Sequence, residues 1–185
     1  MIEKKDVKNF KLLPCPVPSG CWYSNLRTLL PKKAWDIIRK DAYARANGKC
    51  MICGAKKAKL EAHENWEYDE KNKVQRLKNV VAVCHDCHSV IHIGRTQLTG
   101  GEDRAIKHFC KVNDCGYSDY IRALKTANAD NARRSAMGEW QLDVSYLKTL
   151  FDGEESDGEE SDAKCETEST TDFSTENNPE VDSKA

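Results

Sequence analysis

The sequence predicts an α+β protein: two strands and a short helix pinned together by paired cysteines, with flanking helices and an acidic C-terminal tail. Three observations carry this expectation. Two Cys-x-x-Cys pairs, Cys50/Cys53 and Cys84/Cys87, bracket a stretch of thirty residues. That stretch holds two strand-like segments, "KLEAHENWEY" and "VQRLKNVVAV", joined by the polar turn "DEKNK". On either side, apolar residues recur at helical rather than strand spacing.

Residues 1–30 carry three prolines within "PCPVPSGCW" and read as an extended arm laid over the body. Pro31 suits a first helical turn, and "KKAWDIIRKDAYARA" then places Trp35, Ile38, Ala42 and Ala46 on one face. Asn47-Gly48 stops this helix and turns into the first cysteine knuckle, "CMIC", which Gly54 closes. After the hairpin and the second knuckle, "HSVIHIG" reads as a short helix ended by Gly94. The core unit thus spans residues 31–100, preceding helix included. Residues 101–151 extend the same domain and are expected to be helical, chiefly over "EDRAIKHFCKV" and "SDYIRALKTAN". In "WQLDVSYLKTLF" the residues Trp140, Leu142, Leu147 and Leu150 are expected to pack on the core. Residues 152–185 open on the acidic repeat "DGEESDGEESD" and hold too little apolar surface to order themselves, so a disordered tail is expected.

Composition excludes several classes. No apolar run approaches the ~18 residues of a membrane span, and "MIEKKDVKNF" lacks the apolar segment of a secretory signal. An intracellular, cytoplasmic protein with no membrane partner is expected. The net charge of −1 conceals an asymmetry: residues 1–151 hold 27 of the 29 basic and 17 of the 30 acidic residues, a net of +10 against −11 in the tail. A cationic body suits a polyanion such as DNA. By charge alone, the tail is expected to compete for that surface, more strongly at low salt, and phosphorylation of Ser156 or Ser161 would add to the competition.

Nine cysteines without an export signal point to metal ligation rather than disulfides. Cys84, Cys87 and His88 spell C-x-x-C-H, which also attaches c-type haem, but an intracellular chain disfavours that chemistry. Two knuckles instead offer four thiolates, Cys50, Cys53, Cys84 and Cys87, to one tetrahedral structural zinc. Cys15, Cys21, Cys110, Cys115 and Cys165 read as small core or surface residues, with a second zinc at the first four as the alternative. His88 and His92, four apart on a helix, lie on one face and could hold a further ion. His85 is expected to face solvent, His108 to be structural, and Trp66 and Tyr68 to pack rather than stack on bases.

The run "LKNVVAVCHDCHSVIH", in which Asn79 precedes Cys84 by five residues and His88 follows Cys87 directly, resembles the zinc-containing HNH endonucleases. "CMICG" and "EAHE" are similar to that family's first knuckle and first catalytic strand, in the same order. The motif covers residues 50–93, and a weaker resemblance to small bacterial and phage proteins of this type extends over about 21–150. It implies a ββα-metal (HNH) core and a metal-dependent DNA endonuclease that leaves a 5′-phosphate. The family ends its first strand on a metal-binding residue followed by a histidine base; here the adjacent pair is Ala62-His63 or His63-Glu64. In one register His63 is the base and His88 and His92 hold a divalent ion such as Mg2+, Mn2+, Ni2+ or Zn2+. In the other, His63, His88 and His92 are all ligands and Glu64 is the base. Asn79 is implied to hydrogen-bond the backbone near the base and orient it. Such chemistry needs an activated water and a cation at the scissile phosphate. Two alternatives stay open: a non-catalytic zinc module that binds nucleic acid, and a phage protein that binds and inhibits a host protein through a DNA-mimicking tail.

Overall fold

The central hairpin forms where residue alternation places it. A computed structural model of the chain describes residues 6–151; the acidic tail, with Ser156, Ser161 and Cys165, lies outside the described residues. Strand β1 (Leu60–Asp69) pairs antiparallel with β2 (Val74–Cys84), from Leu60 opposite Cys84 to Asp69 opposite Val74. Between Asn65 and Trp66 the register shifts, because Lys78 is an extra residue on β2. This bulge reverses the alternation of β2, so Leu77 and Val80, three apart, face the same core.

The hairpin separates two apolar clusters. On one side helix α2 (Lys32–Ala46) buries Ile38, Ala42 and Ala46 against Leu77, Val80 and Ala82, with Trp35 at the margin. Asn47 ends the helix in the left-handed conformation at φ 47°, one that asparagine tolerates well. On the other side helices α3 (His85–Ile91), α4 (Ile93–Leu98), α5 (Glu102–Asn113) and α6 (Tyr117–Ala136) enclose Val83, Val90, Ala105, Phe109 and Tyr120. The three-stranded sheet and its helices thus make an α+β fold.

Several expectations change. Residues 6–30 are not uniformly extended: they contain 3-10 turns at Val7–Asn9 and Ser19–Cys21 and the short helix α1 (Leu26–Leu29). Asn25 caps α1 by accepting from the Thr28 N–H, while Leu12 and Leu26 are fully buried. Gly94 does not end the helix after the second knuckle. The break falls at His92 (ψ 46°), and Gly94 lies within α4. Leu142 does not pack on the core but stays exposed, because Gln141–Asp143 forms strand β3, parallel to the start of β2. Leu147 is buried and Leu150 packs beside it, in the turn and short helix α7 (Lys148–Phe151) that close the described chain. Trp66 and Tyr68 do pack: Trp66 joins the α2 cluster, and Tyr68 lies between Trp140 and the Arg134 guanidinium.

Candidate metal centre

The first knuckle is built by a tight turn in which Gly54 N–H donates to Cys50 O and Cys50 N–H donates to Ala55 O, with Gly54 at φ 74°. Met51 N–H then docks the turn on Ala82 O of β2. The second knuckle straddles the junction of β2 and α3, where Cys84 is the N-cap and its sulfur accepts from Cys87 N–H. The two knuckles bring Cys50 Sγ to 3.7 Å from Cys87 Sγ and Cys53 Sγ to 3.7 Å from Cys84 Sγ. All four sulfurs lie within 4.8 Å of one another. A tetrahedral zinc with bonds of ~2.3 Å needs sulfur–sulfur edges of ~3.8 Å, whereas a disulfide needs ~2.05 Å. The cluster is therefore consistent with a structural zinc.

Burial raises the Cys84 thiol to about 11 and pushes Cys87 up further, with the neighbouring sulfurs adding to the effect. Burial also acts on Cys50, but N–H groups of Cys53, Cys84 and Ile52 outweigh it and bring that thiol to about 7. A bound cation would remove the cost of crowding thiolates. His108 Nε2 lies 3.2 Å from Cys87 Sγ, so the histidine read as merely structural is a partner of the cluster. Cys15, Cys21, Cys110 and Cys115, the alternative second zinc site, are not brought together as one group of ligands. Among the described residues the groups placed to hold an ion are the four cysteines and one histidine trio, while Cys110 and Cys115 pack in the apolar cluster and Cys15 and Cys21 line the cleft.

That trio is His63, His88 and His92, with ligand atoms also within 4.8 Å of one another. His63 comes from β1 and His88 from α3. His92 sits at the break between α3 and α4, which keeps its ring 4.6 Å from that of His88. Burial, then the neighbouring imidazoles, lowers His63 to about 3; burial and His88 lower His92 to about 4. Both rings are therefore neutral at physiological pH and keep a lone pair for a cation. Glu61, two residues before His63 on the same strand face, accepts from His85 at 3.0 Å and meets His88 Nδ1 at 2.5 Å. Burial opposes ionisation of this carboxyl, yet the two histidines hold it below its ordinary range. His85, though exposed, is thus not idle. By gripping Nδ1 of His88, Glu61 leaves Nε2 as the ring nitrogen available to a cation.

The trio opens into a cleft of about 690 Å3 lined by Trp22, Tyr23, Arg27, Trp35, Trp66 and Arg95, among others. Glu64 also lines it, although alternation sends its side chain to the opposite strand face from His63. Because β1 is an edge strand, a cleft along its free edge can be reached from both faces. Glu64 accepts from Leu26 N–H (2.9 Å) and Trp66 Nε1–H (3.1 Å), and burial outweighs these bonds to raise its pKa. Asn79 sits opposite Asn65 beside the bulge, and its carboxamide oxygen is buried without a protein partner. The backbone bond implied by resemblance is therefore not made through that atom.

Comparison with protein-family models, curated proteins and solved structures finds no match. Among the described residues no helix is long and apolar enough to cross a membrane. Sequence reasoning missed Glu61, His85 and His108 as partners of the two clusters. Period-two alternation from His63 back to Glu61 is the signal that could have found the first.

Proposed function

We propose that the protein is a divalent-metal-dependent endonuclease of the HNH type that hydrolyses phosphodiester bonds in DNA, with zinc at the cysteine cluster serving structure. The observation that carries this reading is the convergence of His63, His88 and His92 at one cleft that also presents Arg27 and Arg95. A divalent ion held by the three histidines would supply Lewis acidity at a phosphate and acidify water.

The residues divide the remaining work. Imidazole ligands would add no charge to a bound cation, so it would keep its full attraction for phosphate. Arg27 and Arg95 bring further positive charge to the cleft, suiting a polyanionic strand. Of the two registers, the geometry favours His63 as ligand and Glu64 as proton acceptor. Its carboxylate is fixed by the Leu26 and Trp66 donors, and burial raises its proton affinity towards that useful in a general base. The cationic balance of residues 1–151 supports a nucleic-acid substrate.

The experiment is a plasmid-nicking assay with Mg2+, Mn2+, Ni2+ or Zn2+ added to protein of known zinc content. His63→Ala is expected to lose cutting by at least ~100-fold, as removal of a metal ligand or base does, while retaining zinc and its melting temperature. Glu64→Gln is expected to lose turnover yet keep affinity for the added ion. Undiminished nicking by His63→Ala would remove the histidine trio from the chemistry.

A further inference from the structure

Trp22 is 60% exposed and Tyr23 82% exposed, adjacent residues on the loop between the Ser19–Cys21 turn and α1. Both line the cleft that holds the histidine trio. Trp22 Nε1–H donates to Val17 O at 3.1 Å, which fixes the indole while leaving most of it in solvent. Tyr23 holds φ at 69°, the left-handed region that bulky side chains seldom adopt. Packing does not demand a tyrosine at so exposed a position, and glycine would fit this backbone without strain. Large aromatic faces held at strained, solvent-facing positions beside a site are a functional signature.

Arg27, one turn away on α1, and Arg95, on α4, line the same cleft. Aromatic planes interleaved with guanidinium groups match a nucleic-acid strand, whose bases stack on rings while its phosphates pair with cations. An intact duplex hides the faces of its internal bases in its own stack and could use only the cationic half of this surface.

We infer that Trp22 and Tyr23 form a stacking platform that selects unpaired DNA: a single strand, a frayed end or an unstacked base delivered to the histidine cluster. This rests on the proposed nucleic-acid-cleaving role of the cleft and names its substrate class. The platform takes the bases flanking the phosphate, and Arg27 and Arg95 take the phosphates on either side.

Binding can be read separately from cutting by titrating the protein with a twelve-nucleotide oligo-dT and with a twelve-base-pair duplex, no divalent ion added, while following tryptophan fluorescence. The single strand is expected to quench fluorescence and bind at least ~10-fold more tightly than the duplex. Trp22→Ala and Tyr23→Ala should each weaken single-strand binding by roughly 10-fold, within the range for one lost base stack. That loss should be the same at every salt concentration, whereas Arg27→Ala and Arg95→Ala should flatten the salt dependence. Trp22→Phe should retain affinity with weaker quenching, Trp35 and Trp66 of the same cleft still reporting the binding. Tyr23→Gly separates function from folding: it should melt no lower than the parent protein, yet bind single strands as weakly as Tyr23→Ala. Equal affinity for duplex and single strand, or unchanged affinity in both alanine variants, would overturn the inference. The same oligonucleotide with Mn2+ added tests the hydrolase reading; tight, aromatic-dependent binding without cutting removes that reading and leaves the platform standing.

Discussion

Glu61 shows how a single carboxylate can organise a site without facing the cleft floor itself. It touches His85 and His88 at once, and its hold on Nδ1 fixes the tautomer and direction of the His88 ring. Partners of this kind alter metal affinity by ~10–100-fold. Glu61→Ala is therefore expected to weaken binding of a divalent ion at the histidine trio by about that factor, measured by calorimetric titration, with zinc at the four cysteines unchanged. Equal affinity in the variant would mean that helix packing alone orients His88. At this scale the sequence was legible where chemistry is carried by spacing. Two knuckles and a histidine pair four apart were enough to name six of the seven residues that cluster, and His63 came from the likeness. Glu61 was not, because period-two alternation puts it on the face of His63 but does not show that His85 and His88 lie across the strand–helix gap. Asn79 was named by likeness, and its carboxamide oxygen is buried without a protein partner.

At the scale of elements, the tip of the hairpin is tied to α6 through Glu70, which accepts from Arg133 at 2.7 and 2.8 Å and from Arg134 at 2.9 Å. Hydrogen bonds from Arg133, then Arg134, hold the Glu70 carboxyl down at about 2. A group whose folded pKa is depressed contributes stability above its unfolded pKa, ~4.3 for glutamate, and loses it as pH falls towards the folded value. Melting temperature should therefore decline between about pH 5 and 2, and Glu70→Gln should flatten that part of the profile. An unaltered profile would assign the acid sensitivity to other carboxylates, such as Asp143 beside Arg76. The long helices were legible because their buried residues recur at helical spacing, and α2 ends at the asparagine that signals its stop. Helix α1 and strand β3 were not. Four residues capped by Asn25 and three residues with two exposed side chains carry no periodicity, and β3 exists only through its pairing with β2. Gly94 misled for a related reason: the α3–α4 break is made at His92, whose ring joins the histidine trio, rather than at the residue with the freest backbone.

For the whole molecule, the four cysteines join the end of α2, the root of the hairpin and the start of α3, segments that otherwise belong to different clusters. Structural zinc contributes ~10–16 kcal/mol in finger-type peptides, comparable to or above the ~5–15 kcal/mol of a whole domain. Cys87→Ser is accordingly expected to give protein without a cooperative thermal transition, and the parent chain to hold one equivalent of zinc by elemental analysis. A zinc-free variant that still melts cooperatively would contradict this. The parallel pairing of β3 has a consequence of its own, in the order of assembly. Hairpin and knuckles involve residues close in the chain, but the β2–β3 ladder closes a loop of 67 residues, as between Arg76 and Asp143. Loop closure on that scale must be completed before its contacts repay it, so the ladder should join last and open first. The amide of Gln141, bonded to Lys73 O, should then exchange its hydrogen well before the amides of central β2. Uniform exchange across the sheet would instead make hairpin and ladder one cooperative unit.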